Sequence, residues 1–161
     1  MKDTIPKTQS ELETAIQKFI EVLNTWRPGT VNAMMPTGYE NCSLEKRTLT
    51  VSCDTLAWMS NPVEQMHGGI ISAALDSAMG ILVYVLSGGK FPPTVSLQIS
   101  YVRPIPLGKR IMITSRAESV GRTVATVSAV VWMEDCPEKH LVTATGIYST
   151  AGKTLAELWR K

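Results

Sequence analysis

Charge of one sign is scarce in this sequence: lysine and arginine together exceed aspartate and glutamate by two. A balance so close to neutral makes no case for nucleic acid or a membrane surface as a partner. Cysteine is scarce too. Cys42, Cys53 and Cys136 leave an odd one over and show no metal-ligand spacing, so we expect reduced thiols in the cytoplasm and no bound metal. The opening MKDTIPKTQS holds no apolar signal core, which argues against secretion. No phosphate-binding glycine loop is present, so neither a nucleoside triphosphate nor another cofactor is expected. Repeats and low-complexity tracts are absent, and 161 residues of ordinary globular composition suit one domain.

What is present is one long apolar run. Asn61 to Leu86 reads NPVEQMHGGIISAALDSAMGILVYVL: a polar loop, His67-Gly68-Gly69, then an almost unbroken apolar stretch. With no polar helical face, a helix built from it is expected to be buried on all sides. The run is just long enough to span a membrane, but it carries Asp76 near its middle and has no basic flank. Asp76 is the anomaly. A carboxylate inside a wrapped helix costs several kcal/mol unless it is paired or shifts its pKa. It is either a structural partner of a hydroxyl or arginine, or a poised base or nucleophile. Two glycines at a helix start let another molecule approach bare backbone N–H groups, where the helix dipole favours negative charge. That combination can stabilise an oxyanion.

The rest of the chain supplies a sheet for this helix. Residues 1–9 are polar and expected to fray. Ser10 with Glu13 reads as a capping box, opening an amphipathic helix from about Glu11 to Thr25 with Leu12, Ile16, Phe19 and Leu23 on its apolar stripe. Val31 to Ala57 reads as strands, with turns at Thr37-Gly38 and Glu45-Lys46-Arg47. In Thr48–Cys53, Leu49, Val51 and Cys53 share a face. Trp58 and Met59 read as core or as an acyl-pocket wall. Ser87-Gly88-Gly89-Lys90 stops the long helix. Thr94 to Val102 then alternates, with Val95, Leu97, Ile99 and Tyr101 on one face. Strands follow over about Arg110–Ser119, Thr123–Glu134 and Lys139–Thr150, joined at Gly121-Arg122 and Asp135–Glu138. Thr154–Trp159 suggests a helical turn. A helix apolar on all sides needs a sheet wrapped around it, which predicts an α+β fold with a curled antiparallel sheet and an extra N-terminal amphipathic helix. We read one domain over 1–161: an N-terminal arm and helix in 1–30, a core in 31–150 and a tail in 151–161.

Asn61-Pro62, His67-Gly68-Gly69, Ala74-Leu75-Asp76 and Gly80, continued by Thr94–Leu97, Tyr101–Pro104, Leu107-Gly108 and Gly121-Arg122, resemble the motif of the PaaI-like hotdog thioesterases of the phenylacetate-degradation type. The resemblance runs from about Leu44 to Ser149. One position departs: Glu64 stands where the family usually has glycine in its Asn loop, which leaves the path of that loop open. The resemblance implies a hotdog fold, homodimers joined by their sheet edges and often paired into homotetramers, and hydrolysis of an acyl-CoA to an acid and free coenzyme A. It implies that the Gly68 N–H, with Gly69 beside it, polarises the thioester carbonyl. By the same resemblance, Asp76 of the opposite subunit would act as general base or as nucleophile. Asn61 would orient water or the carbonyl, Thr94 would position water near the aspartate, and His67 would mainly order the loop. A basic rim for the coenzyme A phosphates would draw on Arg103, Lys109, Arg110 and Arg122. A non-catalytic acyl-CoA binder and a dimeric scaffold with a structural Asp76 are the other readings. The motif is compatible with aromatic, short, medium and long acyl groups alike.

Overall fold

The computed structural model describes residues 5–158, without the side chain of Ala156. Helix α1, Gln9–Thr25, precedes a one-turn helix α2, Val31–Met34, and the strands β1, Thr37–Ser43, and β2, Thr48–Asp54. A short 3-10 turn, Ala57–Met59, leads through the Asn61 loop to helix α3, Gly68–Leu86. Strands β3, Thr94–Tyr101, β4, Arg110–Val120, β5, Val124–Met133, and β6, Val142–Ser149, follow, with a final turn α4, Leu155–Leu158. All six strands form one antiparallel sheet in the order β1-β2-β4-β5-β6-β3. The chain thus leaves the sheet at β2, crosses it as α3, and drops β3 on the far edge before returning beside β2 with β4.

Period-two alternation explains which faces meet α3. Leu49, Val51 and Cys53 of β2, Ile111, Ile113 and Ala117 of β4, and Ala125, Val127, Ala129 and Val131 of β5 are all buried against it. Helix α1 packs against α3 and β1, adding Leu12, Ile16, Phe19 and Ile20 to the core, and the Phe19 ring stacks on Tyr84 with centroids 3.7 Å apart. Although α3 is long and apolar enough to cross a membrane, most of it is enclosed by these elements.

Several expectations are corrected. Both Thr8–Glu11 and Ser10–Glu13 fit the capping-box spacing, and the chain uses the first: Thr8 Oγ1 accepts the Glu11 N–H while Glu11 Oε2 accepts the Thr8 N–H. The helix therefore starts two residues early, and Pro6 is already buried. Residues 1–4 and Trp159 lie outside the described residues. Val31–Met34 is a helical turn rather than strand, because the Thr30 hydroxyl caps it by accepting the Ala33 N–H. Thr37-Gly38 opens β1 instead of forming a turn, since the Asn24 amide on α1 clamps the Thr37 backbone: Nδ2 donates to its carbonyl at 2.9 Å and Oδ1 accepts its N–H at 3.0 Å. Trp58 is 44% exposed and only Met59 joins the core. Nor is α3 wrapped on every side. Gly69, Ala73, Asp76, Ser77 and Gly80, spaced by three and four residues, form a stripe that is not fully buried.

Candidate active site on helix α3

Asp76 lies on that stripe, half-buried. Its Oδ1 accepts the Thr94 hydroxyl at 2.6 Å and the Tyr148 hydroxyl at 3.1 Å. Oδ2 has no partner among the described residues. The two donors converge because Thr94 is paired directly with Tyr148 across β3 and β6, which puts both side chains on one face. Simple alternation places Thr94 opposite Val95, Leu97, Ile99 and Tyr101. A bulge between Thr94 and Ser96 breaks that alternation. It expels Val95, 62% exposed, and turns Thr94 to the face of Leu97 and Ile99, toward α3. Tyr148 is missed by motif reasoning. Its ring is 1% exposed and lies over Gly146, where an added Cβ would stand 2.6 Å from the ring. A glycine two residues before an aromatic on the buried face of a strand is the signal that could have found it. Burial, reinforced by the Asp76 charge, pushes the Tyr148 hydroxyl far above its ordinary pKa, so it remains a donor at any working pH.

The start of α3 is built as a separate half. His67 is the N-cap, and its Nδ1 accepts the Gly69 N–H at 3.0 Å. This uses His67 to hold the helix start. It also takes the Gly69 N–H away from any ligand, leaving the Gly68 N–H as the donor without an acceptor among the described residues. The Gly68 carbonyl accepts hydroxyl bonds from Ser72 and Tyr101, each at 3.0 Å. Asn61 spends its Oδ1 on the Val63 and Gln65 N–H groups, at 3.0 and 3.1 Å, and its Nδ2 has no acceptor among the described residues. Glu64, in the family's glycine position, takes φ 58°. The loop therefore keeps the left-handed turn that a glycine would favour. A cavity of about 340 Å³ joins Asn61, Gly68, Tyr101 and Arg103. Asp76 and Thr94 line a different cavity, of about 210 Å³.

Residues 65–140, a little under half of the chain, match the thioesterase superfamily. The chain is 32% identical over 93 residues to the acyl-coenzyme A thioesterase THEM4 of Xenopus laevis, covering 55% of this chain and 41% of that protein. It therefore spans about two fifths of that relative's length. Among solved structures, the Escherichia coli PaaI protein of the phenylacetic acid degradation operon superposes with a TM-score of 0.75 at 14% identity, over 91% of this chain and 97% of that one. The fold is the hotdog fold, as the sequence resemblance implied. A Streptococcus mutans protein solved with acetyl-CoA bound superposes with a TM-score of 0.64, with 22% identity over 73% of this chain and 90% of that one.

The expected basic rim is not one surface in a single hotdog chain. Arg103 lies beside Asn61 and Gly68, where its Nη1 donates to the His140 carbonyl at 2.6 Å. Arg110 is paired with Asp54 at 2.8 Å, and its guanidinium holds that carboxyl below the usual range. Arg122 sits in the β4–β5 turn, in a third cavity with Arg47 and Lys90 beside Leu86, at the opposite end of α3 from Gly68. A 19-residue helix separates those ends by about 27 Å at 1.5 Å per residue.

Proposed function

We propose that the protein hydrolyses acyl-coenzyme A thioesters to a carboxylic acid and free coenzyme A, in active sites shared between two copies of the chain. The observation that carries this reading is Asp76: a carboxylate with two hydroxyls fixed on one oxygen and the other oxygen free, within the stretch that matches the thioesterase superfamily. The acyl-coenzyme A activity of THEM4 and the acetyl-CoA bound by the Streptococcus mutans protein support the same substrate class.

A thioester needs a polarised carbonyl, an attacking oxygen and an exit for thiolate. The free Gly68 N–H suits the first. The Asp76 Oδ2 suits the second, either by taking a proton from water as the water oxygen bonds to the carbonyl carbon, or by bonding to that carbon itself. In the first route the tetrahedral oxyanion collapses, the C–S bond breaks and the thiolate recovers the proton from Asp76. In the second, thiolate leaves a mixed anhydride that water then opens. Asn61 Nδ2 is placed to orient the carbonyl or the water, and Arg103 to meet a coenzyme A phosphate.

Two halves on one chain argue for two chains per site. Residues 68 and 76 are about 12 Å apart along α3 at 1.5 Å per residue, too far for both to contact one thioester carbon at about 3 Å. A second copy turned about a twofold axis can bring Gly68 and Asn61 of one chain to Asp76 and Thr94 of the other. Strand β3 suits the joint, since among the described residues it pairs with β6 alone and carries exposed Val95 and Tyr101. Two such dimers would make the homotetramer, and three unpaired thiols fit a reducing cytoplasm.

Release of free thiol from a panel of acyl-CoAs tests the reading. We expect Asp76→Asn to lower turnover at least a hundredfold with the fold retained by circular dichroism. Turnover unchanged in that variant would remove Asp76 from the chemistry. Coenzyme A binding with no thiol release from any ester would make the protein a non-catalytic acyl-CoA binder.

A further inference from the structure

The cavity beside Asp76 is lined in part by a stretch of the chain that lies outside the matched thioesterase region. Phe19 and Leu23 of α1 and Asn32 of α2 line it, together with Gly80 of α3, Phe91 and Tyr148. All three residues of the first group precede residue 65, where the family match begins. Most of that wall is carbon; besides Asp76, Ser77, Thr94 and the Tyr148 hydroxyl, its polar member is Asn32. Asn32 accepts the Ser77 hydroxyl on its Oδ1 at 2.9 Å, which fixes the amide plane and ties α2 to the residue next to Asp76. Its Nδ2 has no acceptor among the described residues. An oriented amide donor in a mostly apolar cavity rewards a ligand oxygen placed to accept from it.

Size narrows the ligand further. At about 210 Å³ the cavity exceeds by under a half the roughly 150 Å³ space that binds benzene. Scaled from those six carbons, it holds about eight carbons. A much longer chain would overrun that volume.

We propose that this cavity is the acyl subsite and that Asn32 is its specificity-determining residue: the site takes an acyl group of about eight carbons that carries a hydrogen-bond acceptor toward its far end, and Asn32 Nδ2 donates to that acceptor. The inference rests on the thioesterase reading above. A keto, ether or hydroxyl oxygen meets the requirement, while a plain alkyl chain leaves the amide donors unpaired in the closed complex.

The test compares octanoyl-CoA, 7-oxo-octanoyl-CoA and hexadecanoyl-CoA by thiol release. The wild-type protein is expected to favour the oxo ester over octanoyl-CoA by about fivefold to tenfold in kcat/KM, the effect of one hydrogen bond. It should favour octanoyl-CoA over hexadecanoyl-CoA. Asn32→Leu, similar in size and without donors, is expected to abolish or reverse the oxo preference while still hydrolysing octanoyl-CoA. If that variant does not fold, Asn32→Asp keeps the size and the acceptor for Ser77 and should lose the same preference. Equal kcat/KM for the oxo and plain esters in the wild type, an unchanged oxo preference in the variant, or hexadecanoyl-CoA as the best substrate would overturn the proposal. If no ester is hydrolysed, the thioesterase reading fails first. The subsite is then read by thermal stabilisation with 7-oxo-octanoate against octanoate: a wild-type preference lost in the Asn32 variant sustains it, and equal stabilisation overturns it.

Discussion

Asp76 is held by one oxygen. Thr94 and Tyr148 both donate to Oδ1, so the carboxylate cannot rotate without losing both bonds, and the free Oδ2 is left at a fixed angle. Hydrogen bonds to charged groups are worth about 1.5–3 kcal/mol each, enough to set the orientation of a half-buried side chain. Tyr148→Phe removes one donor while keeping the ring over Gly146. We expect kcat to fall about tenfold, since one hydrogen bond to a charged group is at stake, with KM little changed and the melting temperature within a few degrees of wild type. A wild-type kcat would mean that Thr94 alone positions the carboxylate. Glu64 illustrates a different residue-level compromise. Its left-handed backbone, φ 58°, costs about 1–2 kcal/mol in a residue with a side chain, yet the Asn61 loop is held in that path by its own bonds to Val63 and Gln65.

Among elements, the two edges of the sheet are treated differently. The β1 edge is covered by α1, whose two ends serve as clamps: Asn24 bonds the N–H and carbonyl of Thr37, while Gln9 donates to the Cys42 carbonyl and accepts the Leu44 N–H. The β3 edge has no such cover among the described residues. A sheet with one guarded and one open edge grows in one direction only, which suits a closed twofold dimer rather than a filament. Asn24→Ala strips both bonds from a partly buried segment. We expect it to lower stability by about 1–3 kcal/mol, read as a lower melting temperature, with oligomeric state unchanged because the loss falls on the guarded edge. A variant as stable as wild type would show that the apolar stripe of α1 alone covers β1.

For the whole molecule, the decisive question is whether one site draws on two chains. Asp76→Ala and Asn61→Ala, each expected to be nearly inactive alone, can be co-expressed so that subunits mix as they assemble. A mixed dimer then has one site with both wild-type residues and one with neither. Random pairing of equal amounts makes about half the dimers mixed, so about a quarter of wild-type activity should return. Residues drawn from one chain would restore nothing, and proven heterodimers without activity would end the shared-site model while leaving Asp76 in play.

The sequence by itself determined the elements whose signals are local. The ends of α3 at Gly68 and Leu86 were legible because a glycine pair brackets each side of an apolar run too long for a strand. The turns at Glu45–Arg47, Gly121-Arg122 and Asp135–Glu138 were legible from turn residues, and the resemblance named Asp76, Gly68, Asn61 and Thr94 together. Tertiary structure decided the rest. Thr8 rather than Ser10 caps α1, since both satisfy the local rule and docking selects between them. Thr94 faces Asp76 because pairing with β6 forces out Val95, and no pattern within β3 records its neighbour's register. Tyr148 joins Asp76 from 72 residues away, and Asn32 joins Ser77 from 45 away. Such contacts depend on how a helix sits on a sheet, and the free energy that fixes that seating is spread over the whole buried core rather than written in any short stretch.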